Sequence, residues 1–394
     1  MEKRTVADLD VRGKRVLVRV DYNVPQDKAG NITDDIRIRA SLPTIKYLLD
    51  RQAKVILCSH LGRPKGREPG LSLAPMAKRL SQLIGRPVTL AGDCVGPEVT
   101  ALAAKLKEGD VLLLENLRFH SEEEKNDPAF ARSLASLADV YVSDAFGTTH
   151  RAHASTVGVT HYLPSVAGFL LQKEIEALGK ALNSPKRPLA AIIGGAKVSD
   201  KVAVLNNIVD KVDTLLIGGG MASTFLKAKG YQVGRSLLED DKLEVCRDIM
   251  KRAEARHICL LLPCDVVVAP GLDAGKSAQT VAVDRVPADL KIVDIGPKTV
   301  DSFAEELKKA MTVIWNGPMG VFEVPEFSGG TKGLVKILAG LKATTVIGGG
   351  STAEAVQEMG MEGKMSHVST GGGASLEFME GKTLPGVAAL LDKE

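Results

Sequence analysis

Ser369-Thr370-Gly371-Gly372-Gly373-Ala374-Ser375 follows a short apolar run, His367-Val368, and leads into Leu376-Glu377-Phe378-Met379, which reads as helix. Three glycines between a strand and a helix let the backbone approach a ligand closely. The helix that follows offers free N–H groups and the positive end of its dipole, which favour an anion, phosphate above all. The same device recurs at Ile193-Gly194-Gly195-Ala196-Lys197, at Ile217-Gly218-Gly219-Gly220 and at Ile347-Gly348-Gly349-Gly350. Tight packing where a helix crosses a sheet explains one such turn. Four in one half of the chain point to a shared mouth that handles phosphates.

On either side of this stretch the chain alternates strands and helices, which predicts α/β architecture with parallel sheets. In the first half, strands are expected at 15–20, 54–58, 87–90, 110–114 and 139–143, with helices at 72–84 and 97–106. Another helix, capped by Thr33 or Asp34, runs to about residue 51. In the second half, strands are expected at 189–193, 214–217, 258–262, 264–268, 291–295, 312–315, 344–347 and 366–369. Leu171, Ile175, Leu178 and Leu182 fall on one helical face, so residues 163–182 read as one long helix connecting two domains. The second domain then begins near residue 185. The apolar tail 385–391 must pack somewhere, and the first domain is within its choices.

The loops after the first-half strands collect Arg37, His60, Arg63, Arg118 and Arg151. In parallel sheets ligands bind beyond the carboxyl ends of the strands, where these loops lie. One small, highly anionic ligand explains the set, since a guanidinium fork grips carboxylate or phosphate with two bonds. Arg37 and Arg39 stand near a helix start, against its dipole; Arg39 reads as a solvated position, Arg37 as facing an anion. A metal reading of His150 and His153 is weaker, with no third ligand evident. Glu122-Glu123-Glu124 reads as an exposed approach to a helix without chemistry.

In the second half, Lys197 and Lys201 lie four apart at an expected helix start, and a shared anionic partner accounts for two like charges there. Gly271-Leu-Asp-Ala-Gly275-Lys276-Ser277 has three residues between its glycines where a P-loop needs four, and reads as a hairpin loop. Gly348-Gly349-Gly350-Ser351-Thr352-Ala353 fits G-x-G-x-x-A, but the next strand ends in Ser369-Thr370 with no acid for a ribose. Glu323, after Trp315-Asn316-Gly317-Pro318, is either a ribose ligand or a solvated carboxylate.

Composition narrows the class. With 394 residues, two domains are the default; 44% hydrophobic and 25% charged is ordinary for a soluble globular chain. A net charge of +3 makes no case for nucleic acid or membrane. The five cysteines are scattered without zinc spacing; Cys58, Cys259 and Cys264 lie in or beside apolar runs and read as buried thiols in a reducing cytosol. Neither a signal peptide nor a membrane-spanning stretch is visible.

Seven stretches together resemble the phosphoglycerate kinases: Val18-Arg-Val-Asp21-Tyr-Asn23-Val-Pro, Ser59-His60-Leu61-Gly62-Arg63-Pro, Glu115-Asn-Leu-Arg118-Phe, His150-Arg151-Ala-His153-Ala-Ser, Gly194-Gly-Ala-Lys197-Val-Ser-Asp-Lys201, Trp315-Asn316-Gly-Pro-Met-Gly-Val-Phe-Glu323 and Ser369-Thr-Gly-Gly-Gly-Ala-Ser. They span nearly the whole chain in the family's order. The resemblance implies two doubly wound, Rossmann-like parallel-sheet domains facing each other across a cleft and joined by a long helix. Residues 1–170 plus about 380–394 would form the 3-phosphoglycerate-binding domain, 185–379 the nucleotide-binding domain and 171–184 the interdomain helix. It implies phosphoryl transfer between 1,3-bisphosphoglycerate and ADP, giving 3-phosphoglycerate and ATP, with magnesium carried on the nucleotide.

By position, Asp21, Asn23, Arg37, His60, Leu61, Gly62, Arg63, Arg118 and Arg151 would bind the glycerate substrate. Lys201, Gly219, Asn316, Glu323, Gly349, Gly350, Ser351 and Thr352 would surround the nucleotide. Arg37, Lys197 and the Gly371–Gly373 turn, centred on Gly372, would meet the phosphoryl group in flight. The family usually has Asp directly after the Gly348–Gly350 run, where it helps hold magnesium; this chain has Ser351, and no direct metal ligand is assigned. A cytoplasmic monomer is expected. Two rival readings stand beside this one: a nicotinamide-dependent enzyme using the Gly348 turn, and a non-catalytic phosphate-binding protein.

Overall fold

β1 (Arg15–Arg19), α1 (Ile36–Asp50), β2 (Lys54–Cys58), α2 (Ala74–Ile84), β3 (Val88–Leu90), α3 (Pro97–Lys105), β4 (Val111–Leu113), α4 (Pro128–Ala135), β5 (Val140–Ser143) and β6 (Ser165–Ala167) build the first compact unit of the chain. The computed structural model describes residues 2–393. The six strands form one sheet in the order β3-β4-β2-β1-β5-β6, all parallel. Strands buried on both faces read as continuous apolar runs, and Val16, Val18, Val55 and Leu57 pack with Ile38, Ile45 and Leu48 of α1 in one core.

α5 (Phe169–Asn183) leads to β7 (Leu189–Ile193), α6 (Val202–Ile208), β8 (Thr214–Ile217), α7 (Ala222–Ala228), α8 (Leu243–Ala255) and β9 (Cys259–Leu261). After these come β10 (Asp265–Ala269), β11 (Gln279–Ala282), β12 (Lys291–Ile295), α9 (Pro297–Leu307) and β13 (Thr312–Asn316). α10 (Gly329–Gly340), β14 (Thr344–Gly348), α11 (Gly350–Glu358), β15 (His367–Val368), α12 (Gly373–Met379) and α13 (Pro385–Ala388) complete the chain. The second sheet is parallel, in the order β15-β14-β13-β7-β8-β9. The chain divides into Met1–Ile175 with Thr383–Glu394, and Glu176–Lys382; the division falls inside α5.

The α/β reading holds, with several local departures. β10 and β12 do not extend the parallel sheet; with β11 they form a separate antiparallel sheet in the order β11-β10-β12. The Gly271–Ser277 stretch lies in the β10–β11 connection, as a hairpin loop requires. Residues 165–167 are strand β6, not the start of the long helix. The helix begins only at Phe169, because Gly168 passes so close to Asp144 that a Cβ there would meet Oδ1 at 2.2 Å. Asp144 Oδ1 accepts from Leu170 N at 2.9 Å and so supplies the cap from a distant segment. At α1 the N-cap position is Asp35, whose carboxylate pairs with Arg39 and Arg79; Asp34 Oδ1 accepts from Ile36 N at 2.8 Å.

The tail is fixed by backbone bonds within the first unit. Gly386 N donates to Thr149 O at 2.8 Å, Leu391 N to Ser165 O at 3.0 Å, and Arg4 N to Leu391 O at 2.9 Å. Of the three cysteines expected to be buried, Cys58 is, Cys259 is half-buried and Cys264 is exposed; Cys94 and Cys246 are buried instead.

Candidate functional site

Each parallel sheet reverses its winding once, at β1/β5 in the first unit and at β7/β13 in the second. Crevices open beyond the strand ends at such points. Both sets of candidate residues gather there.

In the first unit, Arg37 Nη1 lies 3.2 Å from Asp21 Oδ2 and donates to Asn23 O at 2.9 Å. Asn23 Oδ1 accepts from Gly62 N at 2.9 Å, and Gly62 O accepts from Arg118 Nη1 at 2.7 Å. Leu61 is held through both backbone groups by the Asn116 amide. Arg151 Nε donates to His150 Nε2 at 3.2 Å, and Arg63 is exposed. His60 is buried, with Nδ1 3.1 Å from Arg19 Nη2. Burial, then the positive charges of Arg19, Arg118, Arg151 and Arg37, push its imidazole well below its ordinary pKa. His153 is pushed down to about 4 by burial and by Arg118, Arg19 and Arg151. Two neutral histidines in the field of several guanidinium groups make a cluster suited to an anion. Arg118 Nε is buried and has no hydrogen-bond partner among the described residues.

Two members of this site escaped the sequence reading. Arg19 is 1% exposed at the end of β1, and a charge inside an otherwise apolar strand was the available signal. Glu123, read as exposed, is fully buried and accepts from Ser155 N and Oγ; only its neighbours Glu122 and Glu124 are exposed. The segment around it is turn rather than helix, so one side chain of three can point inward.

In the second unit, the four glycine turns open into one cavity of about 1200 Å3, lined by Gly195, Gly219, Gly349 and Gly372 among others. The turns pass close enough to exclude side chains: a Cβ on Gly194 would meet Pro318 O at 2.3 Å, and one on Gly317 would meet Gly194 O at 2.2 Å. Lys201, Asn316, Glu323, Gly350, Ser351 and Thr352 also line it. Lys201 Nζ donates to Asn316 Oδ1, and burial pushes the ammonium pKa down against the pull of Asp200 and Glu380. Asn316 Nδ2 is buried without a partner among the described residues. The Thr352 hydroxyl accepts from Gly317 N at 2.7 Å, holding the β13 and β14 loops together. Sequence reasoning missed Asp200 and the apolar lining formed by Leu237, Leu238, Leu272, Ile292 and Val321. Lys197 and Lys201 precede α6 instead of starting it; Lys197 is exposed and is not among the residues lining the cavity.

Buried donors rarely go unpaired in native proteins. Arg118 Nε and Asn316 Nδ2 therefore suit anionic ligands, one in each unit.

The sequence profile described as Phosphoglycerate kinase matches residues 6–382. The chain is 58% identical over 394 residues, covering 100% of both chains, to the phosphoglycerate kinase of Pelotomaculum thermopropionicum. It is 60% identical, at the same coverage, to that of Moorella thermoacetica. Its fold matches the solved phosphoglycerate kinase of Coxiella burnetii with a TM-score of 0.88, 41% identity and 98% coverage of each chain. The enzyme from Pyrococcus horikoshii matches with a TM-score of 0.85, 34% identity and coverage of 99% and 98%. With the motifs, both sheets and the glycine turns in agreement, the chain belongs to the phosphoglycerate kinase family.

Proposed function

We propose that the chain catalyses reversible phosphoryl transfer between 1,3-bisphosphoglycerate and ADP in glycolysis, as a cytoplasmic monomer. The unit with β1–β6 binds the glycerate substrate and the cavity of the other unit binds the nucleotide. The observation that carries this reading is the pair of buried, unpartnered donors, Arg118 Nε and Asn316 Nδ2, one in each unit. Among the described residues, no helix is long and apolar enough to cross a membrane.

The acceptor in the ATP-consuming direction is a carboxylate, already ionised at neutral pH, so no general base is required. What the reaction needs is in-line positioning and positive charge around the migrating group. Arg37, braced by Asp21 and the Asn23 carbonyl, supplies a guanidinium from the first unit. Lys197 and the amides of the Gly371–Gly373 turn supply charge and donors from the second. Lys201, oriented by Asn316, grips the nucleotide phosphates. The apolar lining at Leu237, Leu238 and Ile292 suits a planar base. Ligands held on separate units react only when the units close together, which also excludes water from the acyl phosphate.

Magnesium, when bound, would arrive on the nucleotide and neutralise phosphate charge there. The Ser351 hydroxyl and the Asp200 carboxylate line the same cavity and are the hard oxygen donors it prefers.

Steady-state kinetics of two variants test the assignment. Arg63→Ala should mainly raise KM for 3-phosphoglycerate. Lys197→Ala should mainly lower kcat, by roughly 100-fold or more, the cost of a lost charge-stabilising donor. The opposite pattern refutes the proposed roles.

A further inference from the structure

Outside both candidate sites, Asp93, Cys94 and His120 place a carboxylate oxygen, a thiol sulfur and an imidazole nitrogen within 4.8 Å of one another. The topology explains the meeting. Asp93 and Cys94 follow β3, and His120 follows β4 by a single turn of 3-10 helix, Leu117–Phe119. β3 and β4 are parallel neighbours paired at Leu90 and Leu113, so their carboxyl ends emerge side by side. Glu115 N donates to Asp93 O at 3.3 Å and ties the two loops. His120 Nε2 lies 2.7 Å from Asp93 Oδ1, and the two side chains are 30% and 35% exposed, so the cluster is reachable from solvent. Cys94 is buried and supplies the third donor.

We propose that Asp93, Cys94 and His120 form a binding site for a soft divalent cation of the zinc class, separate from the nucleotide's magnesium. Zinc takes sulfur, imidazole and carboxylate ligands in a tetrahedron, and three protein ligands leave the fourth position to water. Ligand atoms around such an ion stand roughly 3.3–3.8 Å apart, from bonds of about 2.0–2.3 Å. The His120–Asp93 pair must therefore open by about an ångström or less while the sulfur draws in. Binding displaces the thiol proton of Cys94 to solvent and leaves a thiolate on the metal. Magnesium, which demands oxygen ligands, is a poor occupant. One charge opposes the cation: Arg67 Nη1 is 3.7 Å from Asp93 Oδ2, but its side chain is 55% exposed and can turn outward.

Cobalt(II) titration of the full chain is the test, since cobalt reports a thiolate ligand through a charge-transfer band in the near ultraviolet. The expected result is one equivalent bound with that band, displaced by zinc and unaffected by excess magnesium. The band should survive replacement of the accessible cysteines, Cys259→Ser with Cys264→Ser, and vanish in Cys94→Ser. His120→Gln, at a half-exposed position, should weaken cobalt binding by more than the roughly 10–100-fold that losing an outer-shell partner costs; it decides the matter alone if Cys94→Ser does not fold. Absence of the band in the parent, its persistence in Cys94→Ser, its loss with Cys259 and Cys264, or undiminished affinity in His120→Gln overturns the proposal.

Discussion

The Ser155 hydroxyl donates to Glu123 Oε1 at 2.5 Å while accepting from Arg19 Nε at 2.9 Å, so one serine joins two buried opposite charges. Glu123 also accepts from Ser155 N at 2.9 Å, and burial is the first influence on its carboxyl, raising its pKa. Removing one partner of a buried pair leaves the other charge uncompensated. Glu123→Ala should cost about 3–5 kcal/mol in denaturant unfolding. Ser155→Ala, which strips one hydrogen bond from each charge, should cost about 1–3 kcal/mol. Because Arg19 also contacts His60, both variants should raise KM for 3-phosphoglycerate more than they lower kcat. Unchanged stability in both would mean that the charges find solvent instead of each other.

Asp144 predicts a pH effect with a definite sign. Burial pushes its carboxyl up to about 7, against the stabilising bonds from Thr44 and the Leu171 and Leu170 amides. Between the ordinary carboxylate range and pH 7 the unfolded state is ionised while the native state keeps its proton. The native state binds more protons, so this group's contribution to stability falls as pH rises through that window. Asp144→Asn keeps an oxygen to accept from Leu170 and Leu171 and removes the titration. The Tm of the variant relative to the parent should therefore be higher at pH 8 than at pH 5, by an amount equivalent to a free energy on the order of 1–3 kcal/mol. A difference that is flat with pH would place the native carboxyl in its usual range.

The tail offers a packing test. Leu390 is 3% exposed, and the flanking backbone bonds to Arg4 and Ser165 hold it in place. Leu390→Ala should lower the stability of the first unit by about 2–5 kcal/mol, the usual cost of emptying a buried leucine site. An unfolding midpoint equal to the parent's would show that the tail detaches without loss.

Ser351 lies in the first turn of α11, in the wall of the nucleotide cavity. Ser351→Asp adds a negative charge beside the proposed phosphate position. Magnesium compensates that charge, and without magnesium it repels ADP. Titration calorimetry should find metal-free ADP bound more weakly by the variant, with magnesium restoring affinity. Equal metal-free affinity in both proteins would mean that the turn is not at the phosphates.

The α/β class, most strands, the glycine turns and the cationic loops were legible in the amino-acid order, because each is a local signal. Apolar runs buried on both faces, glycines that admit a backbone crossing and arginines after strand ends are legible within a few residues. The same order located β10 and β12 but not their partners, since a strand's sheet depends on pairing across the fold. Which charges are buried follows from the folded chain alone. Glu122, Glu123 and Glu124 are identical in sequence chemistry, yet Glu123 alone turns inward, to a serine 32 residues away. Cys94 and His120 show no metal spacing along the chain and meet because β3 and β4 are neighbours. The start of α5 likewise waits on Asp144 from a different strand end. Desolvation acts on a group through everything packed around it, and that sum is set by segments distant in sequence.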